Sequence, residues 1–190
     1  MDGKVTIEEH FALPETLGPG SSELHRRLED FHGERIELMD RYGVAFAILS
    51  LNGPAVQAQT ETAKAIDMSQ RANDLLAKEI GKRPGRLGGF AALPMQDPEA
   101  AIRELERAVV ELGLLGANVN GFSETVGSAT HLYYDQPEYC PFWSAIEKLG
   151  VPFYLHPRNP FFDDMPFFDG HPWLTYASWA YALETAMHAL

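Results

Sequence analysis

Short apolar segments alternate with helical patterns along the whole of this 190-residue chain, and this alternation constrains its fold more than any other feature. The predicted strands are partly apolar or β-branched and are bounded by Gly, Pro or Asn. They are Val5–His10, Val44–Leu49, Leu87–Ala92, Leu114–Val119 and Val151–His156. Strands separated by helices build a parallel sheet with right-handed crossovers. The sequence therefore predicts an α/β fold, and both a barrel and an open doubly wound sheet fit the pattern.

The helix predicted between Asp97 and Leu112 has the clearest ends. Asp97 can cap its first turn, Pro98 suits the first helical position, and Gly113 suits a left-handed stop. Three further helices are predicted at Thr60–Ile80, Glu34–Tyr42 and Pro141–Leu149. A last helical pattern reaches Leu190 without a Gly, a Pro or a basic last turn to end it. We expect one domain over residues 1–190 that stops within an element.

The turn after the first predicted strand argues against a dinucleotide-binding fold. That fold needs a glycine-rich G-x-G-x-x-G turn at this point, whereas this chain has Phe11-Ala12-Leu13-Pro14. A complete eight-stranded barrel in turn needs about 250 residues. Five predicted strands are therefore too few for a complete barrel.

Charge and cysteine content exclude several kinds of partner and compartment. The formal net charge is −12, from 15 basic and 27 acidic residues, and such a surface repels nucleic-acid phosphates and anionic lipid. The sequence contains no apolar run of transmembrane length, and its first ten residues include acidic side chains where a signal peptide needs a hydrophobic stretch. Cys140 is the single cysteine, so no internal disulfide can form. We expect a cytoplasmic protein that binds neither nucleic acid nor membrane.

Glu8 and His10 are the first candidates for a metal site. They lie two residues apart in a predicted strand, so both side chains project from one face with Cα atoms about 6.6 Å apart. A carboxylate and an imidazole at this separation can bind one divalent ion, with Zn²⁺ or Mn²⁺ preferred over Ca²⁺. Taken alone, however, the pair is a weak signal, and a polar strand end that faces solvent is the commoner explanation.

His156 is the second candidate because it closes the last predicted strand immediately before Pro157. A residue before proline favours extended backbone, so the chain turns away just after the histidine. In parallel α/β folds, ligands bind at this carboxyl end of the strands. Other polar residues follow the second and fourth predicted strands: Ser50, Asn52, Asn118 and Asn120. Each of these residues is also an ordinary loop former.

Several segments together resemble the dihydroxybenzoate decarboxylases of the amidohydrolase superfamily, most closely the γ-resorcylate (2,6-dihydroxybenzoate) type. The resembling segments run in order through nearly the whole chain and include GKVTIEEHFALPETL, ILSLNGPAVQA, GANVNGF, VPFYLHPRNP and DGHPWL. The resemblance implies a (β/α)₈ TIM-barrel fold. Residues 1–190 would then be its amino-terminal portion, with only the first five βα units present.

The resemblance also implies a metal centre and a reaction. Glu8 and His10 match the family's first-strand metal ligands, His156 matches a third ligand, and Asn120 matches a substrate-pocket asparagine. The implied cofactor is a divalent metal ion, Zn²⁺ or Mn²⁺. The implied substrate is a small aromatic carboxylic acid, decarboxylated without oxidation to a dihydric phenol and CO₂. The implied assembly is a homo-oligomer.

Two departures from the family pattern keep alternatives open. The loop at Leu17–Leu24 is shorter than the family's, and no residue matches the family's catalytic histidine on the sixth strand or its aspartate near the eighth. Asp163, Asp164 and Asp169 do not substitute for that aspartate, so no catalytic residue is identified in this chain. The alternatives are a related metal-dependent hydrolase or hydratase, and a non-catalytic fragment or subunit. We expect the chain by itself to lack decarboxylase activity.

Overall fold

Five parallel strands form one sheet, in which they are neighbours in the same order as along the chain. The structure is a computed structural model that describes residues 3–126, 131–159, 170–174 and 179–188. The strands of this sheet are β1 (Lys4–Phe11), β2 (Val44–Leu51), β3 (Leu87–Ala91), β4 (Gly116–Asn120) and β7 (Phe153–His156). All five predicted strands are confirmed.

The described helices lie between and after these strands. They are α1 (Ser22–Glu29), α2 (Glu34–Tyr42), α3 (Thr62–Gly81), α4 (Pro98–Glu106), α5 (Cys140–Leu149) and α6 (Trp179–Met187). Gly43 and Gly150 end α2 and α5 in left-handed conformation, with φ of 70° and 65°. The helix predicted from Asp97 begins as expected, because the Asp97 side chain accepts hydrogen bonds from the Glu99 and Ala100 backbone N–H groups. Beyond Glu106 it continues as one π-helical segment, Arg107–Glu111.

One short helix and one pair of short strands are absent from the sequence prediction. Helix α1 lies in the short loop after the first strand, where Ser21 caps it by accepting a hydrogen bond from Leu24 N at 3.1 Å. The antiparallel pair β5 (Ser123–Glu124) and β6 (His131–Leu132) follows β4. Strands of two residues have no detectable periodicity, so sequence patterns could not reveal this pair.

The two faces of the sheet differ in polarity. On one face, Leu49, Ala117 and Val119 are fully buried and join the apolar core that includes Leu76 of α3 and Leu105 of α4. Because side chains alternate along a strand, the neighbouring residues project to the opposite, inner face. That inner face carries the candidate site residues. No helix among the described residues is long and apolar enough to cross a membrane.

Candidate metal centre

Glu8, His10 and His156 meet on the inner face at the carboxyl end of the sheet. One potential ligand atom from each residue lies within 4.8 Å of those from the other two. Glu8 and His10 project from the same face of β1, as the strand period predicts, and His156 is the last residue of β7. The first and last strands of the sheet thus contribute to one cluster. Whether this cluster binds a metal remains a prediction.

The surroundings of His156 determine which of its ring nitrogens is free. Its Nδ1 lies 2.6 Å from the carbonyl oxygen of Pro157, and a carbonyl can only accept, so Nδ1 carries the hydrogen. Its Nε2 lies 3.1 Å from Oε1 of Glu8. In a neutral ring these two atoms are both acceptors that face each other. Either a second proton on His156 or a cation shared with Glu8 satisfies both groups.

His10 is held in the neutral state that a metal ligand requires. Burial lowers the pKa of its imidazole, and the nearby His156 lowers that pKa further, against smaller opposing effects from Glu8 and Glu9. The rings of His10 and His156 lie edge to face with centroids 5.4 Å apart. The Ser50 hydroxyl is 3.4 Å from Nδ1 of His10. Two imidazoles and one carboxylate therefore offer neutral nitrogen and anionic oxygen donors together.

Two tyrosines that the sequence prediction missed lie beside this cluster. Burial raises the pKa of Tyr154, and the nearby Glu8 carboxylate raises it further. Burial and the negative charge of Glu8 also raise the pKa of Tyr181. The Tyr181 ring lies edge to face with the His156 ring, and their centroids are 6.1 Å apart. Tyr154 precedes His156 by two residues on one strand, so strand alternation could have revealed it. Tyr181 belongs to α6, and nothing local in the sequence indicates its position.

Asn120 lies next to the cluster but is tightly enclosed. It pairs in register with His156 across β4 and β7, and it is buried. Its Nδ2 lies 3.4 Å from Oε1 of Gln57, whose Nε2 donates to the Leu93 carbonyl at 2.8 Å. A Cβ added to Gly53 would lie 2.3 Å from Oδ1 of Asn120. Gln57 and Gly53 therefore enclose the Asn120 amide. Its contact with a substrate stays a prediction.

One buried polar atom on the inner face, Nδ2 of Asn118, lacks a hydrogen-bond partner within the described part of the chain. Asn118 precedes Asn120 by two residues on β4. Buried polar groups are normally paired, so unpaired ones inside a fold call for a water, an ion or a ligand group. The interior beneath the cluster is therefore suited to polar rather than apolar occupants.

The donor set of the cluster fits a divalent transition metal. Ligand distances of about 2.0–2.2 Å place two atoms on one ion at most about 4.4 Å apart. The observed limit of 4.8 Å is within a few tenths of an ångström of that value. Small side-chain rotations close the difference, and the facing acceptors of Glu8 and His156 gain a shared cation. A mixed carboxylate and imidazole set suits Zn²⁺ and Mn²⁺.

A sequence profile described as Amidohydrolase matches residues 7–181, which span the cluster from Glu8 to His156. The chain belongs to the amidohydrolase family. This family membership agrees with the resemblance seen in the sequence motifs. Among individual relatives, the chain is 55% identical over 201 aligned residues to a γ-resorcylate decarboxylase of Rhodococcus jostii. That alignment covers 100% of this chain and 61% of the relative.

Solved structures of the family give the same result for the fold. The chain is similar to a dihydroxybenzoic acid decarboxylase from Polaromonas sp. JS666 with bound manganese and 2-nitroresorcinol, with a TM-score of 0.92 and 53% identity. That match covers 100% of this chain and 59% of the other. A 2,6-dihydroxybenzoate decarboxylase in complex with 2,6-dihydroxybenzoate matches with a TM-score of 0.91 and 55% identity, over 100% of this chain and 60% of that one. The five parallel strands are thus a half-barrel of the TIM-barrel type.

The share of the relatives that the chain covers bears on the catalytic residues. The chain spans about 60% of the length of the γ-resorcylate decarboxylases that it matches. The aspartates Asp163, Asp164 and Asp169 lie outside the described residues. The expectation that this chain supplies no catalytic histidine or aspartate beyond the cluster therefore stays a prediction.

Proposed function

We propose that this chain supplies the metal-binding half of a non-oxidative dihydroxybenzoate decarboxylase. One observation carries the proposal: Glu8, His10 and His156 converge within 4.8 Å in a fold that follows γ-resorcylate decarboxylase structures over its whole length. The substrate is a small aromatic carboxylic acid, and 2,6-dihydroxybenzoate is the first candidate. Its products are a dihydric phenol and CO₂.

The three residues of the cluster have distinct tasks in holding the ion. Glu8 provides an anionic oxygen, while His10 and His156 each provide a nitrogen. A bound divalent metal would supply a positive charge, and the substrate carboxylate with an ortho hydroxyl would chelate it, which would fix the ring. The donors suit Zn²⁺ and Mn²⁺, and manganese is the ion bound in the Polaromonas structure.

The residues around the cluster orient these ligands. The Pro157 carbonyl accepts the Nδ1 hydrogen of His156 and thereby directs Nε2 towards Glu8. Burial and the neighbouring Glu8 carboxylate raise the pKa of Tyr154, so its hydroxyl stays protonated beside that ligand. Such supporting bonds fix the tautomer and orientation of metal ligands. Asn120, at the same edge of the sheet, is our candidate for contact with the substrate.

The experiment that tests the proposal measures metal-dependent ligand binding by the 190-residue chain. We expect 2,6-dihydroxybenzoate to bind in the presence of Mn²⁺ and to lose binding in Glu8→Gln. The isomer 3,5-dihydroxybenzoate is a matched control, because it has the same groups but no hydroxyl ortho to the carboxylate. Equal binding of both isomers, or binding that is independent of Mn²⁺, would contradict the proposed chelation.

A related hydrolase or hydratase would use the same ligands with metal-bound water as nucleophile. Assays of 2,6- and 2,3-dihydroxybenzoate for CO₂ release, run beside lactone and amide hydrolysis, separate these reaction classes. Hydrolysis that depends on Glu8, without metal-dependent binding of 2,6-dihydroxybenzoate, would assign the chain to the alternative.

A further inference from the structure

Arg35, the second residue of α2, makes an unusual set of contacts for a helix side chain. Its side chain is 11% exposed. Nε donates to the Asp30 carbonyl at 2.7 Å, and Nη2 donates to the carbonyls of His10 at 2.7 Å and Arg27 at 3.1 Å. Nη1 donates to Oε2 of Glu9 at 3.1 Å. One guanidinium thus joins the end of β1 to the end of α1.

The contact with His10 occupies a backbone carbonyl that no strand of the described residues pairs. The next carbonyl, that of Phe11, accepts a hydrogen bond from Asn52 N at 2.8 Å on the β2 side. Successive carbonyls of a strand point to opposite sides, so the His10 carbonyl points away from β2. β1 is the terminal strand of the sheet among the described residues, and Arg35 takes the place of a neighbouring strand at this position. Unpaired buried carbonyls are costly, so this contact stabilises the end of β1.

The charge of Arg35 is balanced where it lies. Burial lowers the pKa of its guanidinium, while Glu9 and Asp30 raise it, and arginine remains charged at any physiological pH. A lone positive charge beside a divalent-ion site would repel the ion. The Glu9 carboxylate at 3.1 Å offsets that charge, so Arg35 can act on β1 without opposing metal binding.

We propose that Arg35 is the positioning residue for the Glu8–His10 pair: it fixes the terminal backbone of β1 from which both side chains project. This inference rests on the proposed metal site. Arginine is suited to the task because its planar fork bonds several acceptors in fixed directions, whereas a lysine ammonium acts as a point charge. Arg35 touches no reacting group in this role and acts through the strand.

The test compares Arg35→Ala and Arg35→Lys with Arg107→Ala as a matched control. Arg107 also forms ion pairs, with Glu104 at 2.8 Å and Asp74 at 2.7 Å, but it lies in the helical layer away from β1. Two readouts are measured on folded protein, verified by circular dichroism. The first is Mn²⁺ affinity by calorimetry, and the second is amide hydrogen exchange of Ala12, whose N–H donates to the Leu28 carbonyl at 3.1 Å in the joint that Arg35 braces.

We expect Arg35→Ala to weaken Mn²⁺ affinity by about 10–100-fold, as loss of supporting partners does at metal sites. In the metal-free Arg35→Ala chain, the Ala12 amide should exchange about 10-fold faster. Local opening of the Ala12–Leu28 hydrogen bond no longer requires the Arg35 contacts to break. Arg35→Lys keeps the charge and most of the volume, so it should fold if the alanine variant does not, and it should shift both readouts in the same direction. Arg107→Ala should lower the free energy of unfolding without changing either readout.

The two readouts separate the two levels of inference. Folded Arg35 variants with unchanged Mn²⁺ affinity and unchanged Ala12 exchange would overturn the positioning role. If the wild-type chain binds no Mn²⁺, the proposed function fails, and Ala12 exchange alone then decides whether Arg35 fixes the strand. Equal loss of affinity in Arg107→Ala would show a general stability effect and would also overturn the assignment.

Discussion

Nε2 of His156 lies 3.1 Å from Oε1 of Glu8, although the two residues come from the first and last strands of the five-stranded sheet. The sheet must curl inward for these strands to meet through their side chains. The strand twist that gives parallel sheets this curvature is a property of the whole sheet. Glu8 and His156 therefore come together only when the whole sheet is folded.

Glu8→Gln should reduce Mn²⁺ affinity by at least about 100-fold, because a ligand matters at least as much as the supporting partners that tune it. The amide has the same shape but lacks the negative charge that faces His156. Calorimetric titration of the purified chain measures the effect. Glu99→Gln is the control, since Glu99 is 88% exposed on α4 and should leave affinity unchanged. If Glu8→Gln binds Mn²⁺ with wild-type affinity, Glu8 is not a metal ligand.

Asp30→Asn should destabilise the chain at neutral pH by about 1–2 kcal/mol through loss of charge-assisted bonds at the start of α2. Burial raises the pKa of Asp30, but hydrogen bonds from the backbone N–H groups of Arg35, Gly33 and His32 outweigh it and lower the pKa below its ordinary 3.8. The folded chain therefore holds fewer protons than the unfolded chain below about pH 4.

The pH dependence follows from that difference. The stabilisation by Asp30 is complete above its unfolded pKa and is lost as pH falls through the lower folded value. Urea denaturation between pH 7 and pH 3.5 should show the cost of Asp30→Asn shrinking towards the acidic end. A cost that grows with acidity would mean that Asp30 is protonated more readily in the folded chain.

Gly53→Ala should destabilise the chain by about 1–3 kcal/mol, as overpacking does in a well-packed interior. The added Cβ would lie 2.3 Å from the Asn120 side chain. Gly81→Ala is the matched control, because no atom of the described residues lies within 4 Å of its added Cβ at the end of α3. Thermal or urea unfolding measures both. In an Asn120→Ala background, Gly53→Ala should cost less, and equal costs in both backgrounds would show that the two residues do not touch.

The 190-residue chain by itself should release CO₂ from 2,6-dihydroxybenzoate at least about 100-fold more slowly than a complete family enzyme, since a positioned general acid contributes 10²–10⁴-fold. The half-barrel also leaves the cluster open to water, which weakens electrostatic contacts. A CO₂ release assay with added Mn²⁺ measures this. Fast release that disappears in Glu8→Gln would show that the chain contains its own acid.

Local patterns in the sequence were sufficient for much of the fold. The strand period placed Glu8 and His10 on one face of β1, and the capping residue Asp97 predicted the start of α4 correctly. These features depend on neighbours in the chain, so a single sequence contains them. Helix α1 was missed because it is only eight residues long and has just two apolar side chains, Leu24 and Leu28, too few to establish a helical period.

Only the tertiary structure decided which residues surround the cluster. Arg35 and Tyr181 come from helices and reach β1 and β7 across the fold, through contacts that no local period encodes. The contact between Gln57 and Asn120 likewise joins residues that are far apart in the sequence. The sequence by itself determined where strands and helices alternate along the chain and which polar residues stand at the strand ends. The meeting of β1 with β7 was decided by the curvature of the packed sheet, because bringing distant side chains within bonding distance requires all the intervening strands to twist and pack together.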